Sequence, residues 1–246
     1  MDKDLFEKIF KDKLLHINLE INQTQIDIFW NYMKFLLKEN YKYNLTGIDD
    51  PEAVIDRHFI DSLLVFNEIE FEAGEKVMDV GTGAGFPGMV LKIYFPFISL
   101  LLLDSRMKRI NFLRLLLNKS FFIEPFSKNI EIIQDRAEKL GQDKSFREKF
   151  DWVFSRAVAP MNILCEYTLP FVNIGKKCIL YKGKKFKKEL DNAKKALKIL
   201  GGEVIDVKKL NIINNKSKRF LILIKKTSET PPGFPRRTGI PKKRPL

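Results

Sequence analysis

The chain has 246 residues, 45% of them apolar, enough to bury a sizeable core as one α/β domain with an extension. With 44 Lys and Arg against 31 Asp and Glu, its net charge of +13 favours a polyanionic partner, with membrane-surface binding as the competing reading. No apolar run approaches the roughly 20 residues that span a bilayer, and the opening MDKDLFEKIFKDK lacks a signal peptide's apolar centre. Cys165 and Cys178 have no metal-ligand spacing and imply a reducing compartment, so a cytoplasmic protein is expected.

Residues 1–70 read as helices. Ile26, Phe29, Trp30, Met33 and Leu37 recur at helical spacing, and the pattern resumes over 51–66 after a loop containing NLTG at 44–47. From residue 76 short apolar runs alternate with amphipathic stretches. Strands are predicted over 76–80, 98–104, 130–134, 151–155, 177–181, 203–208 and 220–224. Helices are predicted over 88–94, 107–119, a short piece near Glu138, 161–169 and 185–200. Such alternation makes a parallel sheet covered on both faces. The short polar turn at 214–217 pairs the last two strands antiparallel. By analogy of fold this is the α/β layout of Rossmann-like methyltransferases, a seven-stranded, mostly parallel sheet behind a helical N-terminal extension. The expected division is a helical region 1–70, a cofactor-binding domain 71–228 and a basic, Pro-rich tail 229–246.

The first strand runs into VMDVGTGAGFPG at 77–88. Glycines there allow backbone dihedrals and close approaches that a side chain blocks, and Pro87 suits the first turn of the next helix. Gly83, Gly85 and Gly88 satisfy the GxGxxG spacing of dinucleotide sites, with Asp104 near the place of a ribose-binding acid. Gly81 precedes that triplet, and Asp79 lies in the strand end. Carboxylates so close to the turn suit the sulfonium and ammonium of S-adenosylmethionine and repel a pyrophosphate. The methyl donor is therefore preferred over a dinucleotide, with a purely structural glycine turn as the third reading.

Asp104, closing the second strand, can accept hydrogen bonds from both ribose hydroxyls; the plain alternative is an ordinary strand-end acid. After the third strand, Ala137 and Glu138 can meet an adenine, or Asp135 can merely cap a helix. The fourth strand ends in SRAVAP at 155–160, where an acceptor substrate usually lies. That segment has neither the Asn/Asp-Pro-Pro of amine methylation nor a nucleophilic cysteine, and Cys165 reads as a buried structural thiol. Arg156 stays charged and cannot act as a base, but it can hold a carboxylate, a phosphate or the O6 and N7 edge of a guanine. Its catalytic role is positioning alone. Guanine N7 carries a free lone pair and no proton, so an acceptor there needs alignment and no base. His58 walls the pocket or lies on a helix surface; His16 lies on the surface.

Lys176, Lys177, Lys182, Lys184, Lys185, Lys187 and Lys188 straddle the end of the fifth strand, as a nucleic-acid track or as a solvated face. The last residues, TPPGFPRRTGIPKKRPL, hold five prolines, five basic residues and no acid, which argues against a helix or central strand. They form either a disordered basic tail or a phosphate-contacting arm using Arg236, Arg237, Lys242, Lys243 and Arg244.

The segments NLTGI (44–48), RHFIDSLLV (57–65), VMDVGTGAGFPGMVLKI (77–93), LLLDSRMKRINFL (101–113), DRAEKL (135–140), SRAVAP (155–160), YKGK (181–184) and FPRRTGIPKKRPL (234–246) together closely resemble the glucose-inhibited division protein B family. These are bacterial methyltransferases that make 7-methylguanosine in 16S ribosomal RNA. The resemblance implies a Rossmann-like domain, S-adenosylmethionine as cofactor, and a decoding-region hairpin of 16S rRNA or the small ribosomal subunit as partner. It also implies that Gly81, Gly83 and Phe86 line the donor. Asp104, Ser105 and Arg106 then meet its ribose, Ala137 and Glu138 its adenine, and Arg156 lies by the methionine end or the target base. RNA contacts are expected from the five basic tail residues with Lys184 and Lys185, and a monomer is expected. The spacer 120–128 departs from the family's more helical pattern. A non-catalytic RNA-binding factor and an NAD(P)-dependent oxidoreductase are the alternatives. Binding of adenosylmethionine separates the first, and nicotinamide binding the second.

Overall fold

The computed structural model describes residues 1–67, 69–210 and 219–246. Seven strands, β1 (Lys76–Val80), β2 (Ser99–Asp104), β3 (Ile130–Gln134), β4 (Phe150–Arg156), β5 (Val172–Lys182), β6 (Gly202–Leu210) and β7 (Arg219–Lys226), form one sheet in the order β3-β2-β1-β4-β5-β7-β6. The first five are parallel and β7 runs antiparallel to both β5 and β6. This is the mostly parallel α/β sheet expected. The predicted turn at 214–217 lies outside the described residues. Strand bounds shift most at β5, which starts at Val172 rather than residue 177.

Burial in β1 reads exposed at Lys76 and buried for the next four residues, as a parallel strand covered on both faces requires. Alternate side chains go to opposite layers. Val77, Leu100 and Leu102 join one hydrophobic cluster, and Met78, Leu101 and Leu103 the other. Helices α1 (Lys3–Leu15), α2 (Gln23–Tyr43), α3 (Pro51–Val54), α4 (Asp61–Leu63), α5 (Gly88–Tyr94) and α6 (Met107–Leu117) contribute buried side chains on the first side. There Phe10, Phe29 and Phe59 share a cluster with Phe154 of β4, so the N-terminal helices build one side of the sheet's own core. On the other side lie α7 (Ala137–Leu140), α8 (Met161–Thr168) and α9 (Phe186–Leu200).

Local chemistry sets α2 in place. Asn22 and Gln25 form a reciprocal capping box at its start, and Asn44 ends it with φ 47°. Gln25 Nε2 also donates to Ile93 O at 2.8 Å, satisfying a carbonyl left over at the end of α5. The helix predicted over 51–66 is broken up: between α3 and α4 the backbone takes a π-helical turn over Ile55–Ile60, a form frequent at functional sites. That turn carries Arg57 and His58.

The tail corrects the expectation that proline would exclude helix. Its end forms a one-turn helix, α10 (Ile240–Lys243), with Pro241 in the first turn, where a missing N–H costs nothing. Nor is the segment a disordered chain: Thr230, Pro235 and Pro241 are buried against the domain.

Candidate active site

The carboxyl ends of β1 to β5 open into a cavity of about 1190 Å³, beyond the usual ligand-pocket range and therefore roomy enough for a cofactor and a base together. Its floor is the glycine loop after β1. Gly81 takes φ 75°, and a Cβ there would collide with Val158 Cγ2. Val158 follows Ala157, which adopts the left-handed region at φ 58°, a strained setting of the kind kept at functional sites. Gly81→Ala should cost about 1–3 kcal/mol of stability through strain and this collision. Gly47→Ala, where nothing stands within 4 Å, should cost far less. Denaturant unfolding of both variants checks the difference. Tyr32 donates its hydroxyl to Ala84 O and ties the loop to α2.

Asp79 is fully buried beneath the loop. Its Oδ2 accepts from Gly88 N–H at 2.8 Å, and the Thr82 hydroxyl is the side-chain group beside it. Burial pushes the carboxyl up to about 6, against the pull of Thr82, Gly88 N–H and Arg156. A buried carboxyl beneath the loop and Asp104 on its rim make the glycine cradle unfavourable for a pyrophosphate and compatible with a cation-bearing ligand.

Asp104 is also buried, with three partners. Oδ2 accepts from Gly83 N–H at 3.0 Å and Arg109 Nη1 at 2.9 Å, and Oδ1 from Arg106 N–H at 2.9 Å. A carboxylate offers about four acceptor sites, so one is left for a ribose hydroxyl unless Arg109 gives way. Ser105 and Arg106 follow on the rim, and Ala137 with Glu138, after the neighbouring strand β3, line the same cavity. Glu138 is buried and its Oε1 accepts from Gly239 N–H at 3.0 Å.

Phe86 carries the third group. The His58 ring stacks on it at 4.3 Å with 6° between planes, and the Arg156 guanidinium lies 5.4 Å from its centroid. Arg156 Nη1 donates to buried Asp61 Oδ2 at 2.9 Å and to Arg57 O at 3.1 Å, and Nη2 to His58 Nδ1 at 3.2 Å. An arginine has no acceptor, so Nδ1 is unprotonated and the ring proton sits on Nε2, donating to Thr46 Oγ1 at 2.8 Å. Burial, with Arg156 beside it, pulls His58 down to about 3, so the ring is neutral. The wall reading of His58 fits this position, since it lines the cavity with Thr46 and Arg156.

The lysine run divides. Lys176 pairs with Glu75 at 3.2 Å and Asp151 at 3.1 Å, and Lys177 lies over Trp152. Both therefore sit at the amino end of the parallel strands, a strand's length from the crevice, and the single-track expectation is corrected there. Lys182 is buried on Glu189 at 2.8 Å and lines the cavity. Lys184 and Lys185 are exposed beside Gly183, itself a lining residue. In the tail, Arg237, Lys242, Lys243 and Arg244 are exposed, whereas Arg236 is held by Glu166. Cys165 and Cys178 are free and buried, and burial raises both thiols, Cys178 to about 12. His16 is exposed.

Several lining or supporting groups carried no usable sequence signal: Thr46, Arg109, Glu166, Tyr181 and Arg219. Asp61 did, because RHFIDSL sets it beside His58.

Comparison with known proteins gives a consistent picture. Residues 25–219 match the family model described as rRNA small subunit methyltransferase G (GidB). The chain is 41% identical over 238 residues to the ribosomal RNA small subunit methyltransferase G of Alkaliphilus oremlandii, covering 97% of this chain and 98% of that protein. It is 42% identical over 242 residues to the protein of the same name from Carboxydothermus hydrogenoformans, covering 98% and 100%. Among solved structures, a predicted O-methyltransferase from Agrobacterium tumefaciens superposes with TM-score 0.57 at 16% identity, over 68% of this chain and 81% of that one.

Proposed function

This chain belongs to the rRNA small subunit methyltransferase G family, and we propose from that premise that it uses S-adenosylmethionine to methylate N7 of a guanine in the decoding-region hairpin of 16S rRNA. The observation that carries the donor half is the glycine cradle after β1, where Gly83 faces open space and buried Asp104 lines the same cavity. When bound, the donor supplies an electrophilic methyl group on a sulfonium.

The chain's own residues do the rest by holding and orienting. Gly81, Gly83 and Phe86 line the donor, with Asp79 buried beneath the loop. Asp104, Ser105 and Arg106 take the ribose, and Ala137 and Glu138 the adenine. Arg156 uses three of its five N–H groups on Asp61, Arg57 and His58, leaving two for the donor's carboxylate or the base's O6. A hydrogen bond to N7 itself would occupy the attacking lone pair, so O6 is the edge it serves. Neutral His58 and Thr46 complete that wall. No proton has to leave N7, and alignment with exclusion of water supplies the acceleration. The partner is 16S rRNA or the small subunit, met in the cytoplasm by a monomer. Among the described residues no helix is long and apolar enough to cross a membrane.

Purified protein given methyl-labelled S-adenosylmethionine and either 16S rRNA or small subunits should label one guanine. The labelled strand should then break there with borohydride and aniline. Bound donor without label in either substrate would overturn the reading. The RNA contacts are assigned to Arg237, Lys242, Lys243 and Arg244 with Lys184 and Lys185. Replacing Arg237 and Lys243 with Ala should flatten the dependence of log affinity on log salt by about 0.7–0.9 for each phosphate no longer neutralised. An unchanged slope in filter-binding titrations would return both side chains to solvent.

A further inference from the structure

The C-terminal segment is fastened across the adenine side of the crevice. Arg236 is the fastener. Its backbone N–H and Nε donate to Glu166 Oε1 at 2.7 and 2.9 Å, and Nη2 to Oε2 at 2.6 Å, with Glu166 of α8 fully buried. Arg147 Nη1 donates to Phe234 O at 2.7 Å and Gln142 Nε2 to Pro235 O at 2.7 Å. A Cβ on Gly141 would stand 2.8 Å from Pro235 Cγ, so the segment rests directly on the end of α7. Three residues beyond Arg236, Gly239 N–H reaches Glu138 Oε1. The neighbour of Glu166 on α8, Tyr167, faces the same Glu138 carboxylate, which helps burial raise the phenol to about 12. Helix α7 is a single turn of four residues and cannot by itself hold a buried acid in one orientation.

On the reading that Glu138 meets the donor's adenine, we propose that Arg236 and Glu166 are positioning residues. They latch segment 230–243 across the crevice, hold Glu138 in place, and so link RNA binding by the segment's outer face to donor binding. That face carries exposed Arg237 and Lys243, whereas Lys242 lines the cavity itself. RNA phosphates drawn to it favour the latched state, and the latched state favours the donor. Linkage makes the effect reciprocal.

Calorimetric titration of the full chain with S-adenosylhomocysteine, with and without 16S rRNA, tests this. In the parent, RNA should tighten adenosylhomocysteine by about tenfold. Arg236→Ala should weaken binding without RNA by about tenfold and erase the RNA-dependent gain, raising donor KM more than it lowers kcat. Arg236→Lys should recover part of both. Because Arg236→Ala leaves a buried acid unpaired, Gly141→Leu serves as a second variant: it displaces Pro235 and keeps every ionic partner. Hydrogen exchange should show residues 230–243 opened in both while β1 to β5 stay protected. A segment that opens with donor affinity and RNA gain as in the parent overturns the proposal, as does a parent without that gain. Glu138→Ala separates the layers. If it leaves adenosylhomocysteine affinity intact, the adenine reading fails; if it weakens binding and neither latch variant does, the latch fails.

Discussion

Arg156→Ala should abolish methyl transfer and lower the unfolding free energy by about 3–5 kcal/mol, the range for removing one partner of a buried ion pair. Asp61 is 2% exposed and Arg156 12%, so the orphaned carboxylate gains little solvent. Its remaining neighbour is Arg219 Nε at 3.4 Å, on a side chain 35% exposed and too screened to replace a direct contact. For a chain of this length each kcal/mol lowers Tm by roughly 2–4 °C. Activity should vanish for a second reason, since on the proposed reading the guanidinium beside Phe86 and His58 orients the donor's carboxylate or the base's O6. The double variant Asp61→Leu, Arg156→Leu separates the effects. Replacing a buried pair by apolar groups restores much of the stability, and no methylation should return. Denaturant unfolding beside single-turnover assays reads both. Wild-type activity in the single variant, or recovered activity in the double, would remove Arg156 from the chemistry.

Asp104→Ala should weaken adenosylhomocysteine binding by about 2–3 kcal/mol, the worth of several charge-assisted hydrogen bonds removed together. The loss has two sources. The ribose side forfeits an acceptor, and Gly83 N–H, Arg106 N–H and Arg109 lose the carboxylate that shapes the glycine loop. Asp104→Asn keeps one acceptor oxygen and should lose less. RNA affinity should hold in both, because the proposed reading assigns this acid to the donor. Equal donor affinity in parent and Ala variant would make Asp104 an ordinary strand-end acid.

Most of the sheet was legible in the residue order alone. Strand β1, the glycine loop and β2 announce themselves through short apolar runs, positive-φ glycines and a closing acid, all of which are local. The π-helical turn at Ile55–Ile60 was not, because its apolar spacing still reads as ordinary helix over 51–66. The lysines misled for a related reason. Lys176 and Lys182 are near in sequence, yet an extended strand sets them at opposite ends of the sheet, one beside Glu75 and the other beside Glu189. Proline content in the tail argued against helix, but first-turn geometry at Pro241 carries no such penalty.

The amino-acid order by itself determined the strand and helix alternation, the glycine turn after β1 and the kind of group at the end of each strand, because periodicity and backbone preference act between near neighbours. Only the tertiary structure decided which charges meet. Arg156 and Asp61 are 95 positions apart, and Arg236 and Glu166 are 70 apart. A carboxylate's partner depends on what is buried beside it through space, and neither spacing nor composition encodes that. The same folding buries Asp79 beneath the glycine loop and ties the basic tail to Glu138, bringing Lys242 to the cavity.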